Sequence, residues 1–241
     1  MNWLLALING ATTHSISSGI AWHGSLMVLA WVVFMPVGFL VARFCKITPG
    51  QDWPRWLDNP FWFRNHRRLG YAIGIVTAIA MADILWVDGT LILWQSNHAI
   101  TGWVLLLLAC FQIFGSLRRG THGGPVDRSP SNARPRQQWP GDHFNMTRRR
   151  ILFEYSHKIV GYFLVPLTIW QIASGLRDTD APRWVWVLIS LWTLAFISAF
   201  VKLQLEGKCI DTYQAIWGLD ETLPGYRRKP IGWGITRIRG P

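Results

Sequence analysis

Five long apolar runs dominate this chain, and they leave few folds open to it. A helix that crosses the hydrocarbon core of a bilayer needs about 20 mostly apolar residues. Runs of that kind lie at about residues 20–44, 69–87, 99–117, 159–176 and 184–201. The first carries no charge before Arg43, and the third and fifth carry none. The second contains Asp83, expected near its outer end where water can solvate it. The predicted fold is all-α and integral to a membrane: five transmembrane helices, four forming a core and the last peripheral. A short extracytoplasmic segment (1–19) precedes the transmembrane domain (20–203), and a basic cytoplasmic tail (204–241) follows it. Met1–Ile8 is apolar but short and lacks a basic leader, so it reads as an interfacial segment rather than a cleaved signal peptide.

Composition agrees. Only 15% of residues are charged, against about 25% in soluble domains. The 16 Trp suit membrane–water interfaces, where an apolar ring with one N–H donor fits best. The net charge of +11 sits in the connections and the tail. Lys and Arg number six in Arg43–Arg68, nine in Arg118–Lys158 and seven in Lys202–Arg239. The other side of an alternating five-span topology holds only Arg177 and Arg183. The positive-inside rule therefore puts the N-terminus outside and the C-terminus in the cytoplasm. This pattern makes the basic residues topology determinants and argues against nucleic-acid binding. Cys45, Cys110 and Cys209 are far apart and form no C-x-x-C, which excludes a zinc ribbon, a thioredoxin-like motif and a covalent haem site.

Three of the seven histidines, His14, His122 and His143, lie outside the spans. The first four spans carry one each, near the N-terminal end: His23, His66, His98 and His157. An ionisable ring in a span is costly without a partner, so it marks a functional site by default. Odd spans start outside and even spans inside, so His23 pairs with His98 near the outer face and His66 with His157 near the cytoplasmic face. The two levels are expected roughly 20 Å apart, a few Å in from each side of a core of about 30 Å. Gly70, Gly102 and Gly161 follow His66, His98 and His157 by four residues, on the same helix face. Bare backbone one turn from each ligand leaves room for a flat macrocycle. Met27 holds that place after His23.

Zinc or copper would want three or four protein ligands at one site. Two axial imidazoles suffice for a haem iron, whose other positions the porphyrin fills. A chlorophyll magnesium, needing one His, stays open on these residues alone.

The chain resembles the cytochrome b561 family. The matching elements are Trp22-His23-Gly24 leading to Trp31, Met35-Pro36-Val37-Gly38 and Ala42-Arg43-Phe44; then Trp62-Phe63-Arg64-Asn65-His66; then Asn97-His98-Ala99-Ile100-Thr101-Gly102; then Glu154-Tyr155-Ser156-His157-Lys158 through Tyr162. The resemblance covers about residues 23–176. It implies a four-helix core with two non-covalent b haems, His23/His98 near the outer face and His66/His157 near the cytoplasmic face. It also implies electron transfer across the membrane from a quinol, an ascorbate-like reductant or a partner dehydrogenase to an acceptor opposite. Arg43, Arg67, Arg68 and Lys158 match the family's basic residues near haem propionates or a reductant; charge anchoring is their plainer role. A span after the core rather than before it, and a long Arg-rich loop at 118–153, favour a bacterial inner membrane over an ascorbate-linked member. The partners implied are lipid, a redox donor and acceptor, and a second copy or other subunits. A haem-bearing anchor subunit of a larger redox or photosynthetic complex is the neighbouring reading.

Overall fold

Each apolar run is a helix, and the helices extend past the runs. A computed structural model describes residues 3–10, 15–88, 96–124 and 140–239; His14 and the middle of the Arg-rich loop, with Arg128, Arg134 and Arg136, lie outside the described residues. The helices are α1 (Ser18–Phe44), α2 (Pro60–Asp88), α3 (Asn97–Leu117), a short α4 (Asp142–Asn145), α5 (Arg148–Asp178), α6 (Arg183–Leu205) and a short α7 (Thr212–Trp217). The five long ones are long and apolar enough to cross a membrane, and the protein is an all-α integral membrane protein. Among the described residues there is no strand, only the isolated bridges Leu7–Pro182 and Ile210–Thr236.

Local chemistry sets the starts. Hydroxyl oxygens of Ser17, Ser96 and Thr147 accept from the main-chain N–H groups of Ile20, Ala99 and Arg150, satisfying donors that the first turn leaves unpaired. Pro60 opens α2, where a missing N–H costs nothing. Because α2 and α5 begin well before their apolar stretches, His66 and His157 stand roughly two turns inside their helices rather than at the ends. The added turns hold Arg64, Arg148, Arg149 and Arg150, which a count of apolar residues passes over but which form helix readily.

Antiparallel neighbours pack in pairs, α1 on α2 and α3 on α5. Lesser contacts of α1 with α5 and of α2 with α3 close the four into a ring. In that ring α1 lies diagonally across from α3, and α2 across from α5. Mid-bundle, all four contribute to one apolar cluster: Ala30 and Trp31, Ile73 and Val76, Leu105 and Leu108, Leu164 and Leu167. Trp31 Nε1 donates to Thr77 Oγ1 at 3.0 Å, a polar tie between α1 and α2 at this layer. The chain around it, Val28–Phe34, winds as a π-helix, a widening of the helix common near functional sites. Helix α6 is peripheral, as expected; it has no buried residue and touches α1 and the turn Trp3–Leu5.

The chain after α6 folds back as a cap on one end of the bundle. There α4, α7 and the turn Pro224–Arg227 enclose Phe144, Met146, Tyr213, Leu223 and Ile231. Tyr213 Oη donates to Phe144 O at 2.8 Å, and Arg237 pairs with Asp211 at 2.7 Å. Gly124, at φ +77°, lies so close to the Trp217 ring that a Cβ would stand 2.2 Å from it. The cap is therefore built from two segments, the end of the 118–153 loop and the tail.

His143 is sealed in this cap at 1% exposure. Burial and the neighbouring Arg150 hold its pKa well below the usual 6.5, with Glu154 opposing and His122 and Lys158 assisting. Below pH 6.5 the unfolded chain thus binds a proton that the folded cap refuses, so cap stability falls as pH drops from about 6.5. Protease sensitivity of residues 206–239 in detergent should rise over that interval, and His143→Phe should flatten the dependence. Phe144→Ala should open the cap at every pH, at a cost of about 3–5 kcal/mol for a buried Phe.

Candidate functional site

The four spanning histidines all turn into the ring, and their neighbours fix how. His23 on α1 places Nδ1 3.0 Å from Ala80 O on α2. His66 on α2 places Nδ1 3.1 Å from Gly38 O on α1. A carbonyl only accepts, so in both rings Nδ1 carries the proton and the Nε2 lone pair is left for a metal. The two bonds are reciprocal. Each His reaches the neighbour at the level where that neighbour's own His is a span's length away: 15 residues separate His23 from Gly38 and 14 separate His66 from Ala80, about 21 Å of helix.

Helices α3 and α5 repeat the arrangement with different groups. Gln171 Nε2 donates to His98 O at 2.9 Å, and Gln112 Nε2 donates to His157 O at 2.8 Å. Thr101 Oγ1 donates to Gln171 Oε1. His98 Nδ1 lies 3.1 Å from Ser174 Oγ. The Gln171 amide is also 3.1 and 3.3 Å from the two His98 ring nitrogens.

Across the diagonals the histidines meet in pairs. The His66 and His157 rings are 5.9 Å apart, centre to centre, with planes at 88°. Phe153 lies 5.2 Å from His157, ring centre to ring centre. His23 and His98 are near enough to interact electrostatically. The pairs lie at opposite ends of the bundle, with the apolar layer of Trp31, Leu105 and Leu164 between them. Among the described residues no group of three or more His, Cys, Asp or Glu could hold a metal.

The glycines divide. At Gly70 a Cβ would meet nothing within 4 Å. At Gly102 and Gly161 it would stand 2.9 Å from the Gln171 amide and 3.3 Å from the Gln112 amide. Those glutamines were missed by reading for charge and metal ligands. A comparison of the two spans finds them: His98…Gly102…Gln112-Ile113…Leu117-Arg118 matches His157…Gly161…Gln171-Ile172…Leu176-Arg177 at equal spacing.

Basic residues gather at the His66–His157 end, and most have protein partners. Arg43 is 7% exposed and donates to Tyr162 Oη, Gln204 Oε1 and Trp233 O at 2.7–2.8 Å, leaving its Nε buried without an acceptor. Lys158 donates to Glu154 Oε2 and Ile231 O, both at 2.8 Å. Lys46 donates to Arg43 O and Ile210 O, and burial lowers its pKa from 10.5 to about 8. These three cations tie the helix ends to cap carbonyls. Arg67 and Arg68 are exposed, the Arg67 guanidinium lying 5.6 Å from the Phe63 ring centre. Asp83, expected in water, is half-buried, and its Oδ2 is shielded and lacks a hydrogen-bond partner.

The sequence has curated relatives that span at least part of this bundle. It is 29% identical over 193 residues to an Arabidopsis thaliana protein described as cytochrome b561, DM13 and DOMON domain-containing, covering 73% of this chain and 18% of that one. A second Arabidopsis protein, with cytochrome b561 and DOMON domains, is 28% identical over 186 residues, 74% of this chain and 36% of its own. The human ferric-chelate reductase 1 is 29% identical over 136 residues, 54% of this chain and 20% of its own. These likenesses support the cytochrome b561 family. The chain spans from under a fifth to about a third of the length of these relatives. No protein-family model matches it, and no solved structure does.

Each glutamine amide is an interhelical tie in an apolar setting, worth on average about 0.6 kcal/mol and at most about 1.7. Gln112→Leu and Gln171→Leu should each lower the unfolding midpoint in detergent. Gln171→Leu should cost more, since it also removes the amide oxygen that faces the Thr101 hydroxyl.

Proposed function

We propose that this protein is a cytochrome b561-type electron carrier with two b haems, one held by His23 and His98 and the other by His66 and His157. The single observation that carries the reading is the diagonal pair His66–His157. Two imidazoles on one metal, at about 2 Å each, have ring centres roughly 6 Å apart, and these stand at 5.9 Å. The proton on Nδ1 of His23 and His66 leaves Nε2 as the ligating atom. His157 Nδ1, buried and without a hydrogen-bond partner, belongs to a ring aimed inward for another purpose than packing.

A b haem held by each histidine pair would supply one-electron chemistry. The chain supplies the rest. Helices α1, α2, α3 and α5 fix the imidazoles, Gly70 keeps the turn beside His66 bare, Gly102 and Gly161 make room for the Gln171 and Gln112 amides, and the apolar layer separates the levels. Arg43, Arg67 and Lys158 set a positive field at the His66–His157 end. We take that end to face the cytoplasm of a bacterial inner membrane, with the N-terminus outside; the charge asymmetry supports this orientation. Donor and acceptor are a reduced quinol, a small reductant or a redox protein on one face and an oxidant on the other.

A reduced-minus-oxidised spectrum with haem extraction tests this. A b-type α-band and about two haems per chain are expected. His66→Ala and His157→Ala should each release one haem and keep the other. Absence of haem, or loss of both haems in a chain that stays folded, would overturn the assignment.

A further inference from the structure

Helices α3 and α5 carry the same pattern up to their last turn, where two residues are exchanged: Gly115-Ser116 in α3 stands where α5 has Ser174-Gly175. The exchange acts on the histidine rings. Ser174 Oγ gives its own proton to Gln171 O at 2.9 Å, so its oxygen is free to accept from His98 Nδ1–H at 3.1 Å; the Gln171 amide nitrogen, also 3.1 Å from Nδ1, only donates, and its proton goes to His98 O at 2.9 Å. The matching position in α3, Gly115, has no side chain. Ser116, one residue on, donates back to Ile113 O at 2.6 Å within its own helix. His157 Nδ1 is left buried without an acceptor.

An acceptor on Nδ1–H makes an imidazole a stronger electron donor through its other nitrogen, which favours ferric over ferrous iron. His23 and His66 both donate to a carbonyl, at 3.0 and 3.1 Å, so they do not distinguish the sites. The difference rests on His98 and His157. Fixed charge acts in the same sense: Lys158 and Arg150 lie near His157, with Glu154 opposing, whereas Asp178 lies near His98.

Resting on the two-haem reading, we propose that Ser174 holds the His23–His98 iron at a lower midpoint potential than the His66–His157 iron, and that Gly115 is the position that leaves the latter high. One electron on the protein then sits mainly at the His66–His157 level. The exchange can be reversed one residue at a time. A Cβ on Gly115 meets nothing within 4 Å, so a serine fits there.

The experiment is a redox titration of the detergent-purified holoprotein, with resonance Raman of the iron–histidine modes. The haem kept by His66→Ala identifies the His23–His98 potential. Ser174→Ala should raise that potential and leave the other; Ser174→Thr, which keeps the hydroxyl, should move neither. Gly115→Ser should lower the His66–His157 potential and leave the other. Two retained haems with unmoved potentials would overturn the proposal, and so would equal shifts of both. Should Ser174→Ala shed its haem, Gly115→Ser decides alone: a His66–His157 potential that does not fall sinks it. A wild-type chain with no haem fails the functional reading itself, and the haem count reports that before any potential is read.

Discussion

The bundle depends on where an imidazole N–H can go inside an apolar interior. Water is absent there, and a buried donor without an acceptor is expensive. Antiparallel pairing solves the problem for α1 and α2. Each helix presents a main-chain carbonyl, 14 or 15 residues beyond its own His, to the His of its neighbour. That one exchange sets the register of the pair and the tautomer of both rings. It also puts one histidine at each end without any charged partner. Helices α3 and α5 meet it only in part: Ser174 Oγ faces His98 Nδ1, His157 Nδ1 has no partner, and the two glutamines bond the histidine carbonyls instead, so these helices can differ where main-chain carbonyls cannot.

Much of this could be read from the residues. Length and apolarity mark five spans, and alternation of direction puts His23 with His98 and His66 with His157 before any coordinates are seen. The spacing of Gly102 and Gly161 from their histidines is also plain. What fills that spacing is not, because Gln112 and Gln171 act on the neighbouring helix, fourteen residues from the His of their own. Helix starts at Pro60 and Arg148 were hidden by arginines that a search for apolar runs passes over. Asp83 was misplaced for a related reason: depth along a span is legible in sequence, whereas the direction it faces depends on which neighbour packs there.

The cap was least legible. Its core joins Phe144 and Met146 to Tyr213, Leu223 and Ile231 across some 70 residues, and neither segment has enough apolar surface alone to look like a folded unit. A basic tail beside anionic lipid and a basic tail folded on its own bundle have the same composition. Arg43, Lys46 and Lys158 decide for the second, because their donors end on carbonyls of Trp233, Ile210 and Ile231. Charges that serve topology in the sequence serve as fasteners in the fold.

The layer of Ala30, Trp31, Leu105 and Leu164 has one more consequence under the proposed function. An electron can tunnel through packed hydrocarbon, but a proton needs a chain of polar groups or water. Between the two histidine levels the polar groups at this layer are the Trp31 indole and the Thr77 hydroxyl, bonded to each other, and the buried Thr168 hydroxyl, which bonds to neither. A bundle so plugged behaves as a wire inside an insulator. Each electron that traverses it moves net charge across the bilayer, so the membrane voltage would retard transfer in one direction and assist it in the other.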